Sequence, residues 1–171
     1  MDTHSEEREK LRAIQAIFEK AVANNSIEDM RPYTDPEFSF VSFTDRSFSD
    51  FDSFSQQWGR TRQEMVGAGS FSTQLDPEPS VFFDNTAVSY GNSKNNMVDS
   101  NGHAYEFTSH WTVVFRRRDG EWKVLRAHNS LNPFTNPMLK RAVKAMLIKY
   151  SLIAFVAGGV LCSLLVYFTQ T

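Results

Sequence analysis

Residues 103–133, with the sequence HAYEFTSHWTVVFRRRDGEWKVLRAHNSLNP, decide the fold of this chain. Two β-prone apolar runs, 107–115 and 122–127, lie on either side of a short charged segment. Within that segment, Asp119 and Gly120 are residue types that accept the positive φ angles of a tight turn. The stretch therefore predicts an antiparallel β-hairpin, and we expect the elements before it to pack on this hairpin.

The register of the hairpin depends on its turn, and the sequence leaves two alternatives open. A two-residue turn places four side chains on one face: Trp111, Phe115, Val124 and His128. A type I turn with a bulge at Gly120 instead brings His110 and Thr112 to that face. Neither strand alternates cleanly between apolar and polar residues. We therefore expect both faces to be covered, one by helices of this chain and the other by a second copy or a partner.

Apolar residues at helical spacing predict an amphipathic helix that ends at Asn24-Asn25. Its apolar stripe consists of Leu11, Ile14, Ile17, Phe18, Ala21 and Val22. Thr3 and Glu6 are spaced as a capping box at its start. A shorter helix follows, and Pro32 is expected to disrupt it.

A second long helix is predicted over residues 50–65, with one largely apolar face. That face consists of Phe51, Phe54, Trp58, Thr61 and Met65. Between the helices, Asp35-Pro36 predicts a turn, and a short strand follows within residues 38–43. Further strands are predicted at 71–75, 81–83 and 86–90, with a turn at Asp84-Asn85 joining the last two. Residues 92–102 are expected to form a polar connection.

The hairpin segment resembles the closing hairpin of the nuclear transport factor 2-like superfamily, which is also called SnoaL-like or ketosteroid-isomerase-like. Members often read Arg-x-Thr, then Arg-Asp-Gly-x-Trp, then His-x-Ser. The matching positions here are His110-x-Thr112, Arg118-Asp119-Gly120-x-Trp122 and His128-x-Ser130. His110 therefore replaces the usual arginine, so no arginine role can be carried over to this position.

The resemblance covers residues 8–133 in element order and implies an α+β fold. A cone-shaped, curved antiparallel sheet would pack on N-terminal helices, with a pocket at its open end and frequent dimerisation through the sheet. The resemblance also favours the bulged turn, because that register puts the pattern residues on one inward face.

Composition sets the outer limits of the prediction. A chain of 171 residues with 41% hydrophobic content is long enough for one globular domain and an appendage. The 18 basic and 20 acidic residues nearly balance, so nucleic acid is not an expected partner. Cys162 is the single cysteine, which excludes an intrachain disulfide and fits a reducing compartment.

The C-terminal region predicts a membrane anchor. Residues 150–168 contain no charged side chain and are long enough to cross a bilayer as a helix. A basic cluster precedes them: Lys140, Arg141, Lys144 and Lys149. By the positive-inside rule, this cluster places the globular domain on the cytoplasmic side. We expect a bacterial inner membrane, with an organellar membrane as the alternative, and no N-terminal signal peptide.

Three segments are expected on this basis: a nuclear transport factor 2-like domain at 1–133, a basic juxtamembrane segment at 134–149, and a single-pass transmembrane helix at 150–168. Aromatic side chains lie where interfacial aromatics usually sit, at Tyr150, Tyr167 and Phe168. The small-residue spacings Ala154-x-x-x-Gly158 and Gly159-x-x-x-Ser163 are compatible with helix packing in the membrane.

Few residues suggest chemistry. The sequence has no phosphate-binding glycine loop, paired-cysteine zinc pattern, HExxH or GxSxG motif. His110 and His128 are the catalytic candidates, as an acid–base pair across the hairpin, and structural histidines are the favoured alternative. The ligand-binding candidates are Tyr33, Phe54, Trp58, His110, Thr112 and His128. Glu106 is the nearest acidic side chain for a metal site with the histidines, and we expect no metal and no cofactor.

Other charged residues receive structural interpretations. Asp45, Asp50 and Asp52 are expected in turns and helix caps rather than as a catalytic base. Arg116, Arg117 and Arg118 are expected on the solvated surface beside the turn.

Two classes of function remain open. The first is a membrane-anchored binding or assembly module that forms a homodimer or docks onto a membrane protein complex, with a pocket for a small apolar ligand. The second is a small isomerase, cyclase or hydratase that acts on a hydrophobic substrate. The lack of a clear acid–base pair favours the first class. Membrane lipid is an expected partner of the anchored protein.

Overall fold

The structure is a computed structural model that describes residues 4–170, without the side chains of residues 138, 163–166, 168 and 170. Contacts divide the chain into two units, which meet in sequence between Asn132 and Pro133. Thr3 of the predicted capping box lies outside the described residues, as do the side chains of Ser163 and Phe168.

The first helix, α1 (Ser5–Asn24), forms as predicted. Its buried side includes Leu11 and Val22, and Asn25 ends it in the left-handed conformation at φ 55°. Asparagine tolerates this conformation better than most residues, which explains the sharp end. A 3-10 helix (Ile27–Tyr33) follows and continues through Pro32.

The second long helix, α2 (Phe51–Met65), is also confirmed. Asp50 caps it, because its carboxylate accepts a hydrogen bond of 2.7 Å from the Ser53 backbone N–H. This side chain is therefore a cap residue, as predicted. Phe51 and Phe54 are buried on the apolar face of the helix.

Seven strands form one sheet within the described residues: β1 (Thr34–Val41), β2 (Ser47–Phe48), β3 (Ser70–Pro77), β4 (Val81–Phe83), β5 (Thr86–Val98), β6 (Ala104–Arg118) and β7 (Glu121–Ser130). Their order is β2-β1-β7-β6-β5-β3, and β4 pairs with β5 beyond the end of β3. All pairs are antiparallel except β1 with β7, which is parallel. The α+β class is confirmed, with a mixed sheet.

The predicted turn at Asp35-Pro36 is wrong, because both residues lie in β1. Proline is tolerated there since the pairing of β1 with β7 is irregular between Thr34 and Ser39. No ladder hydrogen bond is required from Pro36 in this irregular stretch.

The polar connection predicted over residues 92–102 is also largely wrong. Strand β5 continues to Val98, with β3 paired along one edge and β6 along the other. Alternate residues of this strand are buried although several are polar: Ala87, Ser89, Gly91, Ser93, Asn95 and Met97. The backbone pairing on both edges therefore holds a sequence of weak β-propensity in a central strand.

The hairpin of β6 and β7 is confirmed, and its turn is the two-residue alternative. Asp119 and Gly120 have φ angles of 53° and 84°, and Arg118 pairs directly with Glu121. Positive φ at both positions is the mark of a type I′ turn. The bulged turn that the family resemblance favoured is thus wrong.

A bulge nevertheless occurs further along β7. Phe115 pairs with Val124 but Val114 pairs with Arg126, so Leu125 is the extra residue. One extra residue reverses the side-chain parity of the strand beyond it. Asn129 therefore lies opposite Trp111, where a regular strand would put His128.

Burial alternates along the central part of β6. Phe107, Ser109 and Trp111 are buried on the inner face, whereas Thr108 and His110 are exposed on the outer face. Within this unit, its own elements cover only the inner face. Cover of the outer face by a second copy or a partner stays a prediction.

The second unit contains helix α3 (Pro137–Gln170). It includes an exposed apolar segment, Leu139–Cys162, with a mean hydropathy of 1.9. By its length and composition, this segment is a candidate membrane span.

Candidate functional site

A cavity of about 170 Å³ lies between the helices and the inner face of the sheet in the first unit. Side chains from α1, the 3-10 helix, α2, β1, β2, β3, β5, β6, β7 and the loop between β1 and β2 line it. The lining is largely apolar and rich in phenylalanine: Phe18, Phe38, Phe40, Phe43, Phe48, Phe51, Phe54, Phe71 and Phe115. An apolar cavity of this size compares with an engineered one of about 150 Å³ that binds benzene.

Phe54 is at the centre of the aromatic wall. Its ring centroid lies 4.9 Å from that of Phe40 and 6.2 Å from that of Trp58. Trp58 in turn lies 6.2 Å from Phe71. These edge-to-face and tilted contacts fix the rings in place, so α2 presents a rigid aromatic surface to the cavity.

A buried polar network occupies the opposite wall. The Ser93 and Ser109 hydroxyl groups are 2.6 Å apart, and the Asn95 amide nitrogen donates to both, at 3.2 and 3.1 Å. All three side chains are buried, and Ser93 and Asn95 line the cavity. Mutual hydrogen bonding offsets the cost of burying these groups.

Two residues that line the cavity each carry a buried polar atom without a hydrogen-bond partner among the described residues. The Trp58 Nε1 and Asn129 Oδ1 atoms are buried, and neither makes a hydrogen bond to any residue between positions 4 and 170. Trp111 also lines the cavity, but its Nε1 donates to the Asn92 carbonyl oxygen at 2.8 Å. Sequence reasoning missed Asn129, because only the bulge at Leu125 turns it inward.

The structure brings together some of the predicted ligand-binding residues. Phe54 and Trp58 line the cavity, and His128 does so at its rim with an exposed side chain. Tyr33 packs on the core but is not among the lining residues. The ligand-binding role of these residues stays a prediction.

His110 and Thr112 lie elsewhere. Both are exposed on the outer face of β6, and neither lines the cavity. Thr112 is opposite His128, and His110 is opposite Ser130, so the two histidines are diagonal neighbours on that outer face. The hairpin thus brings the two catalytic candidates near each other, but not around an enclosed space.

The lining contains one titratable side chain among the described residues, that of His128. The three aspartates considered as a base lie outside the cavity. Asp45 is at a turn with a φ of 60°, Asp50 caps α2, and Asp52 pairs with Arg31 at 2.7 Å. Between residues 4 and 170, no group of three or more His, Cys, Asp or Glu side chains is arranged to hold a metal ion.

Two of the three arginines beside the turn are not simply solvated, in contrast to the prediction. Arg117 lies 3.9 Å from Glu7 and over the ring of Trp122. Arg116 forms an ion pair with Asp35 at 2.5 Å, and the Asp35 side chain is fully buried. Burial alone would raise the pKa of Asp35. Hydrogen bonds from Arg116 and from the Glu37 backbone N–H outweigh it, so the pKa lies below its usual value.

The first unit has an α+β fold in which a β-sheet packs on helices, with an apolar cavity between them. This arrangement defines its class of protein. The family model of the SnoaL-like domain matches residues 11–134. The chain therefore belongs to the SnoaL-like family. A comparison with curated proteins finds no match.

Solved structures with the same fold include a conserved protein from Planctomyces limnophilus (TM-score 0.64, 16% identity), covering 74% of this chain and 96% of that one. A nuclear transport factor 2-like protein from Salmonella enterica matches with a TM-score of 0.65 and 15% identity, over 72% and 89% of the two chains. The association domain of C. elegans CaMKII matches with a TM-score of 0.57 and 14% identity, over 74% and 95%. At these identities the likeness shows the fold alone.

Proposed function

We propose that this protein is a membrane-anchored binding module whose SnoaL-like domain holds a small, mainly apolar ligand. The observation that carries the proposal is the character of the cavity lining. It consists of aromatic and aliphatic side chains with a few uncharged polar groups, and its titratable member, His128, is exposed at the rim. Cavities of this kind are typical of sites for small apolar ligands.

The same lining argues for binding rather than acid–base catalysis. A general acid and a general base must both reach the reacting atoms, usually with pKa values adjusted by burial. Within the part of the chain that the structure describes, the lining supplies His128 alone, and His110 lies on the outer face. An isomerase or hydratase would need a second titratable group in the cavity.

The anchor is proposed on the composition of α3. Its apolar segment is exposed, and its four charged side chains are all basic: Lys140, Arg141, Lys144 and Lys149. By the positive-inside rule, this arrangement supports a single-pass helix with the SnoaL-like domain in the cytoplasm of a bacterium.

Assembly is the further part of the proposal. The chain shares its fold with an association domain, and the outer face of β6 is not covered by its own unit. A homodimer, or docking onto a membrane protein complex, would cover this face.

Ethylbenzene is a suitable probe for the cavity because it is apolar and little larger than benzene. We expect it to bind to the full-length protein in nanodiscs, with empty nanodiscs titrated as the blank for partitioning. Ala127→Leu adds bulk to a residue that lines the cavity and is expected to weaken binding at least tenfold. Ala104→Leu adds the same bulk at an exposed position on the outer face of β6 and is expected to leave binding unchanged. Equal binding by the two variants would contradict the proposal.

A further inference from the structure

The two unpartnered groups of the cavity define the chemistry of its ligand. We propose that the ligand is uncharged and carries an oxygen acceptor, as in a ketone, ether or alcohol, which accepts a hydrogen bond from the Trp58 indole N–H. This inference rests on the proposed function, because it names the ligand class for the same cavity.

Trp58 carries the argument because an indole N–H can only donate. Buried tryptophan N–H groups normally have a partner, since a buried polar group without one is costly. The other two tryptophans follow this rule: Trp111 donates to Asn92 at 2.8 Å, and Trp122 donates to Glu7 at 2.5 Å. Trp58 Nε1 is the exception, and its side chain lines the cavity. A group that satisfies it must be an acceptor.

Asn129 provides a second polar contact. Its Oδ1 atom is buried and accepts no hydrogen bond from any residue that the structure describes. A side-chain amide oxygen is an acceptor, so this atom suits the hydroxyl group of an alcohol.

The lining also excludes a charged ligand. Among residues 4–170, no lysine, arginine, aspartate or glutamate lines the cavity. A carboxylate or an ammonium group inside it would be desolvated without a counter-charge, which is far more costly than burying an uncharged polar group. The phenylalanine rings around Phe54 match the hydrocarbon part of the ligand instead.

The direct test is the indole N–H signal of Trp58 in the NMR spectrum of the full-length protein in nanodiscs. The chain has three tryptophans, so three indole signals are expected, and single Trp→Phe variants assign them. Acetophenone and ethylbenzene are similar in size but differ in a carbonyl oxygen. Acetophenone should shift the Trp58 signal downfield, as hydrogen bonding does, whereas ethylbenzene should not.

Affinity provides the second measurement. The wild-type protein should bind acetophenone about tenfold more tightly than ethylbenzene, which is the size of one net hydrogen bond. Trp58→Phe should abolish that preference. Trp122→Phe is the matched control, because the Trp122 N–H already donates to Glu7 and this side chain is not among those that line the cavity, so the variant should keep the preference.

The outcomes separate this inference from the proposed function. Equal affinities for the two probes in the wild-type protein would overturn the inference and leave the apolar binding site standing. A preference for acetophenone that survives in Trp58→Phe would also overturn it. Tighter binding of benzoate than of acetophenone would replace the uncharged class with an anionic one. Binding of none of the probes would overturn the proposed function itself.

Discussion

At the scale of single residues, Arg116 holds the buried carboxylate of Asp35. We expect Arg116→Met to lower the free energy of unfolding by about 2–4 kcal/mol, because it leaves a buried charge without its partner. Arg118→Met removes an exposed cation and should cost less than about 0.5 kcal/mol. Urea unfolding of residues 1–137 measures both values, and a similar loss in the two variants would contradict the role of Arg116.

The same carboxylate predicts a pH dependence. The pKa of Asp35 in the folded state lies below its ordinary value of 3.8. The unfolded chain therefore binds the proton first as the pH falls, so the stabilisation by Asp35 is present above pH 3.8 and is lost as the pH falls through the folded-state pKa. Between pH 5 and pH 2, Asp35→Asn should lose less stability than the wild-type protein. Parallel losses would show that Asp35 does not contribute.

The sequence allowed some site residues to be predicted and not others. Phe54 and Trp58 could be placed because they share the apolar face of a strongly periodic helix. The inward position of Asn129 could not, because it depends on the parity of β7 after the bulge. Asp35 was missed because its partner Arg116 is 81 residues away in the chain.

At the scale of elements, two glycines predict opposite effects of the same substitution. Gly59 lies within α2 and has open space around its Cα, so Gly59→Ala should raise the free energy of unfolding by about 0.5–1 kcal/mol. Gly120 has a φ of 84° in the turn between β6 and β7, so Gly120→Ala should lower it by about 1 kcal/mol. Thermal unfolding of the two variants measures both changes. Changes of the same sign would contradict the turn geometry.

Elements with a strong local sequence pattern could be predicted. Elements whose secondary structure depends on pairing with adjacent strands could not. Helices α1 and α2 and the hairpin of β6 and β7 were found from periodicity and turn chemistry. The second half of β5 was not, because its polar composition indicates a loop. In the fold, Ser93 and Asn95 are satisfied by Ser109 on the adjacent strand, which no local pattern reveals.

At the scale of the whole molecule, charge is unevenly divided along the chain. Residues 133–171 carry four basic and no acidic side chains. Since the chain has 18 basic and 20 acidic residues, the remainder has 14 and 20, a net charge of −6. An acidic domain followed by a basic and then apolar segment is the pattern expected for an anchor at an anionic membrane surface.

Removal of the last helix tests the independence of the first unit. Truncation after Pro137 should give a soluble domain with a cooperative unfolding transition. All the residues that line the cavity, and those that form the sheet, precede this point. Recovery of the truncated chain only as an aggregate would count against an appended anchor.

Extraction experiments test the anchor itself. The full chain should stay in the membrane pellet after alkaline carbonate washing, because a spanning helix is not released by high pH. Two charges placed in the apolar segment, Val156→Asp and Val160→Asp, should each oppose insertion by about 2.5–3.5 kcal/mol, and together release the protein. Two substitutions outside that segment, Thr108→Asp and Thr112→Asp, serve as the control. Release of the wild-type chain would contradict the anchor.

The extra residue at Leu125 determines which side chains of the second half of β7 face the cavity and which face outward. Shortening the strand by this one residue would restore strict alternation from the turn to Ser130. The imidazole of His128, which is exposed at the rim, would then lie on the inner face, and the Asn129 amide would lie on the outer face. A single codon deletion would thus replace an uncharged amide on the inner face with a titratable imidazole.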